Sequence, residues 1–259
     1  MSRNEQLARI QQQFRRQAEA YERLASVTDA EGMRRLVRLT QPTGAERVLD
    51  VACGPAFLTM AFAETTRQVV GLDGTDVFVA HAAAEARRRG HANLRLVLGD
   101  VERMPLAADV FDVVACRAAF HHFPDPEVVL REMMRVARPG ARFLIADQVA
   151  SEDATKARLH NEVERLCDPT HVRALAVSEL ERLFARLGLA VVLRGSSEIE
   201  YSVEEWLTHG GPSAQVADDI RRRMRDSIDG DKTGLGVCER GGELRFHHTA
   251  AAFLVAKPA

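Results

Sequence analysis

Between residues 45 and 150 the chain alternates two patterns. Compact apolar runs occupy 47–52 (RVLDVA), 68–73 (QVVGLD), 94–98 (LRLVL), 111–116 (FDVVAC) and 142–146 (RFLIA). Between them, at 56–64, 76–89 and 127–137, apolar positions recur three and four apart. Short runs apolar on both faces predict strands buried between two layers, and the longer period predicts helices. The turn residues agree. Cys53-Gly54-Pro55 follows the first run, Thr75 is placed to cap the helix from 76, Gly90 ends it, and Arg138-Pro139-Gly140 precedes the fifth strand. Such an alternation predicts a mostly parallel α/β sheet with helices on both faces and right-handed crossovers. Ligands of such sheets bind beyond the carboxyl ends of the strands, where the strand order reverses.

The flanks read differently. Leu7, Ile10, Phe14, Tyr21 and Leu24 recur at spacings of three, four and seven, and a second helical piece at 31–39 stops before Gln41-Pro42-Thr43-Gly44. Residues 1–44 are therefore expected as an N-terminal helical piece and 45–259 as the main domain. Beyond 150 the pattern predicts helices at 154–166 and 177–187, a sixth strand at 189–194, a helix over 203–227 broken near Gly210-Gly211-Pro212, and a last strand at 246–256. That makes a seven-stranded sheet. The connection between the last two strands is longer than a normal loop, so residues 200–240 are expected to form a helical cap or a homodimer contact.

Composition narrows the function classes. The 259 residues carry 35 basic and 37 acidic side chains, a net charge of −2, which offers no general grip on nucleic acid or anionic lipid. The basic run Arg221-Arg222-Arg223 is offset by Asp218, Asp219 and Asp226 and lacks interleaved aromatics, so a solvated helix face is expected there. No apolar run reaches the ~18 residues of a membrane span, and residues 1–16 are too polar for a signal peptide. Cys53, Cys116, Cys167 and Cys238 form no zinc-type spacing and read as reduced thiols in a cytoplasmic protein, with no metal expected.

The loops at the strand ends carry the chemistry. A dinucleotide site wants G-x-G-x-x-G, because pyrophosphate must approach bare backbone N–H groups. The first turn, Asp50-Val51-Ala52-Cys53-Gly54-Pro55-Ala56, keeps only Gly54 of such a run. Pro55 lacks an N–H, and Asp50 would repel phosphate. The loop suits a cationic ligand without phosphate, and S-adenosylmethionine, with its sulfonium and ammonium, has that chemistry. Asp73 ends the second strand, about 20 residues on, where a carboxylate meets ribose hydroxyls. After the third strand comes Gly99-Asp100-Val101, an acceptor for an adenine amine beside an apolar side chain that can pack on the ring. Any one of these acids alone reads as a cap or turn residue; three in register read as a nucleoside site.

With these residues in view the chain resembles the class I S-adenosylmethionine-dependent methyltransferases, most closely the branch of the ubiquinone/menaquinone-biosynthesis enzymes and related small-molecule methyltransferases. The matching stretches are VLDVACGPA (48–56), VVGLD (69–73), LGDVERMP (98–105), FDVVACRAAFHHFPD (111–125) and VARPGARFLIAD (136–147), in the family's order over about residues 45–150. DPTHVRAL (168–175) and FRRQAEAY (14–21), the latter like the branch's lid helix, add to it. The resemblance implies a Rossmann-like fold with S-adenosylmethionine as cofactor and S-adenosylhomocysteine as product. It implies that Asp50, Ala52 and Gly54 line the methionine end, Asp73 and Gly74 the ribose, and Asp100 and Val101 the adenine. Arg117 and Ala118 would face the methyl group, and Tyr21 would be a lid aromatic. Ala52 and Ala56 stand where many members have Gly, so the loop is expected to keep negative φ there.

Transfer of a methyl group from a sulfonium is an in-line displacement that mainly needs alignment, with a base added where the acceptor is a hydroxyl or acidic carbon. His121 and His122, after the fourth strand, are the candidate bases, with loop shaping as the alternative role for either. His171 is the candidate from the region after the fifth strand for the acceptor pocket. His247 and His248, neighbours on a strand, must point to opposite faces and read as structural. The expected activity is O- or C-methylation of a small organic acceptor, without nucleic-acid or membrane partners. A non-methylating use of the same cofactor, such as a rearrangement or dehydration, and a non-catalytic binding domain keep the same cofactor residues; a dinucleotide oxidoreductase is disfavoured by the first loop.

Overall fold

The computed structural model describes residues 5, 6, 8–13, 15 and 29–256. Eight strands form one sheet: β1 (Arg47–Val51), β2 (Gln68–Asp73), β3 (Leu94–Leu98), β4 (Phe111–Arg117), β5 (Ala137–Gln148), β6 (Ala190–Ser202), β7 (Cys238–Arg240) and β8 (Glu243–Ala256). Seven of them run in the order β3-β2-β1-β4-β5-β8-β6, and the three-residue β7 pairs with β8 off this path. This corrects the expected seven strands by one short hairpin partner. β1 to β5 are parallel, whereas β8 is antiparallel to both β5 and β6. The order reverses between β1 and β4, which puts the ligand-binding crevice at their carboxyl ends.

Helices α1 (Ala30–Leu39), α2 (Phe57–Ala63) and α3 (Asp76–Arg88) cover one face, α4 (Pro126–Val136) and α6 (Val177–Arg186) the other. Alternate strand residues feed the two cores. Val48, Val69, Val113 and Leu144 pack with Met33, Val37 and Phe62, while Leu49, Leu72, Val114 and Ile145 pack with Leu130, Met133 and Phe184. Double-sided burial is why these strands read as continuous apolar runs. Local signals set the boundaries. Asp125 accepts from the N–H groups of Glu127 and Val128, with Pro126 in the first turn of α4. Thr75 precedes α3 as expected but makes no side-chain cap bond.

The larger departures lie late in the chain. β6 runs eight residues past the expected 189–194 and β8 begins three residues before the expected 246, the two pairing as far as Ser202 with Arg245. In the outer half of β6, Ser196, Ser197 and Glu198 are exposed and polar, so no apolar pattern marks it. β5 begins at Ala137, earlier than expected, across an irregularity with β4. The projecting ribbon packs against α5 (Ala154–Cys167), α7 (Val203–Gly210) and α8 (Ala214–Asp226) around a third core of Val163, Trp206, Leu207, Ile220, Met224 and Phe246. α7 and α8 fall in the segment between β6 and β8 where helices were expected. Its arginines are paired as the charge pattern implied, Arg221 with Glu204 and Asp218, Arg223 with Asp219. No helix among the described residues is long and apolar enough to cross a membrane.

Candidate active site

The carboxyl ends of β1, β2, β3 and β4 open into one cavity. Asp50, Ala52, Gly54, Asp73 and Gly74 line it from the first two strands, Asp100 and Val101 from the third, Arg117 and Ala118 from the fourth. Every expected cofactor residue except Tyr21 is thus brought to one place; Tyr21 lies outside the described residues. Gln6 and Ile10, in the helical N-terminal stretch, close the cavity from above. Gln11 donates to the Gly74 carbonyl (2.7 Å) and Arg15 pairs with Asp76 (2.9 Å), which ties this stretch to the rim.

The first loop departs from expectation in a specific way. Ala52 and Ala56 have φ of 54° and 65°, so both sit in the left-handed region rather than keeping negative φ, and Gly54 between them has φ 52°. The chain must reverse from β1 into α2 in five residues. It does so through these left-handed positions, holding Cys53 N–H on the Leu72 carbonyl (3.0 Å). For a residue with a side chain such a conformation costs roughly 1–2 kcal/mol. An added Cβ at Gly54 would meet no protein atom within 4 Å.

Two of the acids are buried. Asp73 accepts from Gly54 N–H and Thr75 N–H (both 2.8 Å), which locks the loop to the second strand end. Asp50 is only 2% exposed and accepts the Thr59 hydroxyl (2.6 Å). Burial pushes its carboxyl up to about 7, against the pull of Thr59 and of Arg117. A buried acid that faces a cavity, its charge disfavoured by burial, is a site that a cation would complete. Pro55 supplies no N–H, and the methyl groups of Ala52 and Ala56 replace bare backbone, so no phosphate cradle forms. Val101, Ile10, Phe57 and Phe78 provide apolar wall for a base. These residues fit S-adenosylmethionine and do not fit a dinucleotide.

A second cavity of about 720 Å³ lies alongside and shares Arg117, Ala118 and His122 with the first. α1, the inner ends of β5 and β8, and Tyr201, Trp206 and His209 of the cap enclose it. His121 lines it, in the short 3-10 helix Phe120–His122. Its Nδ1 is 2.6 Å from Asp147 Oδ1, and Asp147 Oδ2 accepts from the N–H groups of Ala119 (2.9 Å) and Phe120 (2.5 Å). One buried carboxylate therefore fixes both the turn and the imidazole on it. Burial alone would lower the His121 pKa, but the Asp147 charge and hydrogen bond outweigh it and raise the value above 6.5. Asp147 had no assigned role in the sequence. Its signal was an acid ending a strand, as in the other three cases.

The other two histidines have different positions. His122 Nδ1 faces the Thr170 carbonyl (3.1 Å) and hydroxyl (3.2 Å), and burial lowers its pKa to about 4, leaving it neutral and holding the 120s loop against the 170s. His171 was expected in the acceptor pocket. Instead it is 3% exposed, bonded through Nε2 to Asn161 Oδ1 (2.7 Å), and it stacks behind His121 at 5.5 Å without lining the cavity. Its burial drives the pKa down to about 2. His247 and His248 do face opposite ways, His247 toward Glu200 (3.3 Å) and His248 toward Glu164 (2.7 Å).

Fold, loop and acids together define a class I S-adenosylmethionine-dependent methyltransferase, and the chain belongs to that family: residues 42–204 match a methyltransferase domain. It is similar to the uncharacterized methyltransferase YcgJ of Bacillus subtilis, with 30% identity over 83% of this chain and 85% of the relative. The crystal structure of YcgJ superposes with a TM-score of 0.81 at 27% identity, over 88% of this chain and 99% of that one. The Bacillus halodurans protein BH2331 gives a TM-score of 0.84 at 26% identity, over 88% and 100%. A demethylmenaquinone methyltransferase of Mycolicibacterium paratuberculosis is 33% identical over 51% of this chain and 54% of its own length.

Proposed function

We propose that this methyltransferase methylates a small organic acceptor at oxygen or at an acidic carbon, with His121 taking the acceptor's proton. Bound S-adenosylmethionine supplies the electrophilic methyl group. Asp50 and Gly54 hold its methionine end, Asp73 its ribose, and Asp100 its adenine amine, with Val101 against the ring. Arg117 and Ala118, which line both cavities, mark where the methyl group and acceptor meet. His121 accepts the proton at Nε2, since Nδ1 is held by Asp147, and the Asp147 carboxylate stabilises the imidazolium that results. The observation that carries this reading is the 2.6 Å His121–Asp147 pair on the wall of a 720 Å³ cavity that adjoins the cofactor cavity. The relative named demethylmenaquinone methyltransferase supports an organic, non-polymeric acceptor. The test is release of S-adenosylhomocysteine across a panel of phenols, enols, thiols and amines. A phenol or enol that turns over, and turns over at least 100-fold more slowly with His121→Asn, is expected. Undiminished turnover of the best acceptor by that variant would overturn the assignment.

A further inference from the structure

A cluster outside the methyl-transfer machinery has the composition of a metal centre. His160 and Glu164 lie one turn apart on the same face of α5, and His248 comes from β8. One imidazole nitrogen from each histidine and a carboxylate oxygen lie within 4.8 Å of one another, and all three residues are buried. Glu164 Oε1 is 2.7 Å from His248 Nε2 and 3.7 Å from His160 Nε2. The His160 Nε2 atom, on a residue only 1% exposed, has no hydrogen-bond partner. Leaving a buried imidazole nitrogen without one is unfavourable, so the fold keeps an unpaired ligand atom near a carboxylate too distant to bond it. Donor atoms around a tetrahedral ion with bonds of ~2.0–2.1 Å stand about 3.4 Å apart; the two separations here fall on either side of that. The aromatic shell of Tyr201, Trp206 and Phe246 packs around His248. Glu164 and His248 line the 720 Å³ cavity that also holds His121.

We propose that His160, Glu164 and His248 bind a divalent transition-metal ion of the zinc class, whose open coordination position faces the acceptor cavity and anchors an anionic oxygen or sulfur of the acceptor. Two imidazoles and one carboxylate with an open position are the donor set of catalytic zinc sites, and carboxylate-poor, nitrogen-rich ligation disfavours magnesium and calcium. The binding site stands on its own geometry; the anchoring role rests on the acceptor reading above.

The full chain, stripped with a chelator, is dialysed against zinc and titrated with cobalt(II). One ion per chain and the visible absorption bands of four- or five-coordinate cobalt are expected, with affinity at least 100-fold lower in His160→Ala and in His248→Asn. Unchanged affinity for S-adenosylhomocysteine shows that each variant is folded, because neither residue lines the cofactor cavity. No stoichiometric uptake by the wild-type chain, or uptake by both variants equal to wild type, overturns the site. Should a variant fail to fold, the wild-type cobalt titration alone decides. Chelation is expected to slow acceptor-dependent turnover at least tenfold while leaving S-adenosylhomocysteine binding intact; unaltered turnover overturns the anchoring role. Metal uptake reads independently of methyl transfer, so failure of either proposal is visible without the other.

Discussion

Replacing Asp50 by Asn tests whether this carboxylate is a cation site whose charge the fold resists until the cofactor arrives. The acid ionises at about 7 rather than at its ordinary 3.8, chiefly because it is buried. Each tenfold change in proton affinity is worth 1.36 kcal/mol, so carrying the charge at pH 8 costs the cofactor-free protein about 4 kcal/mol. The sign follows from proton linkage. Below about pH 3 the acid is protonated both folded and unfolded and contributes no difference. As pH rises the unfolded chain ionises first, so stability falls until about pH 7 and is level above it. Asn cannot titrate, and its carbonyl still accepts the Thr59 hydroxyl. The unpaired amide donor costs roughly 1–3 kcal/mol at every pH. Urea unfolding of the cofactor-free proteins should therefore show the stability difference, variant minus wild type, growing by about 4 kcal/mol between pH 4 and pH 8. Calorimetry with S-adenosylhomocysteine, whose ammonium keeps its proton over this range, gives the second readout. Wild-type affinity should weaken about tenfold from pH 8 to pH 6 as Asp50 takes up a proton, and the variant should bind more weakly at pH 8 without that slope. Stability curves that run parallel across pH, or a wild-type affinity equal at pH 6 and 8, would refute the argument.

Other expectations are as direct. Asp147→Asn should lower kcat by roughly 100-fold or more and move the acid limb of the pH–rate profile to lower pH, because His121 loses the charge that raises it; an unmoved limb would remove Asp147 from this role. Ala52→Gly and Ala56→Gly each relieve a left-handed backbone, about 1–2 kcal/mol, against about 0.4–1 kcal/mol of added unfolded-chain entropy. Ala52→Gly should then gain up to about 1.6 kcal/mol in denaturant unfolding, and a loss would contradict its conformation; at Ala56, which is fully buried, the lost methyl burial of about 0.8 kcal/mol offsets part of that gain. At Gly71 an added Cβ would stand 2.9 Å from both Cys53 Sγ and Leu96 Cδ1 and 3.2 Å from Thr59 Cγ2. Gly71→Ala should cost about 1–3 kcal/mol by overpacking and weaken S-adenosylhomocysteine binding through the displaced first loop; wild-type affinity would contradict this. Deletion of residues 1–28 removes Gln6, Ile10 and Gln11 from the cofactor cavity and its rim, and should weaken S-adenosylhomocysteine binding at least tenfold while the unfolding temperature of the sheet changes little, read by calorimetry and circular dichroism.

What could be read from residue order was what depends on short-range chemistry. The buried strands show as apolar runs because both faces are covered, and Gly90 marks a helix end because the backbone there needs a left-handed residue. Asp50, Asp73 and Asp100 could be grouped in advance because parallel neighbouring strands bring equivalent ends to one edge, so position along each strand becomes position in space. Where function depends on distant segments meeting, only the fold decided. The polar outer half of β6 gave no periodic signal because Ser196, Ser197 and Glu198 are exposed rather than packed into a core. His171 and His121 looked alike as sequence, yet one is spent on Asn161 behind the cavity and the other is turned into it by Asp147. The left-handed conformations of Ala52 and Ala56 follow from the tight reversal between β1 and α2, a global closure that local preference opposed. His160, Glu164 and His248 lie on a helix and a strand 84 residues apart along the chain from Glu164 to His248. No spacing rule reaches that far, and it takes the packing of α5 against β8 to make three unremarkable side chains one cluster.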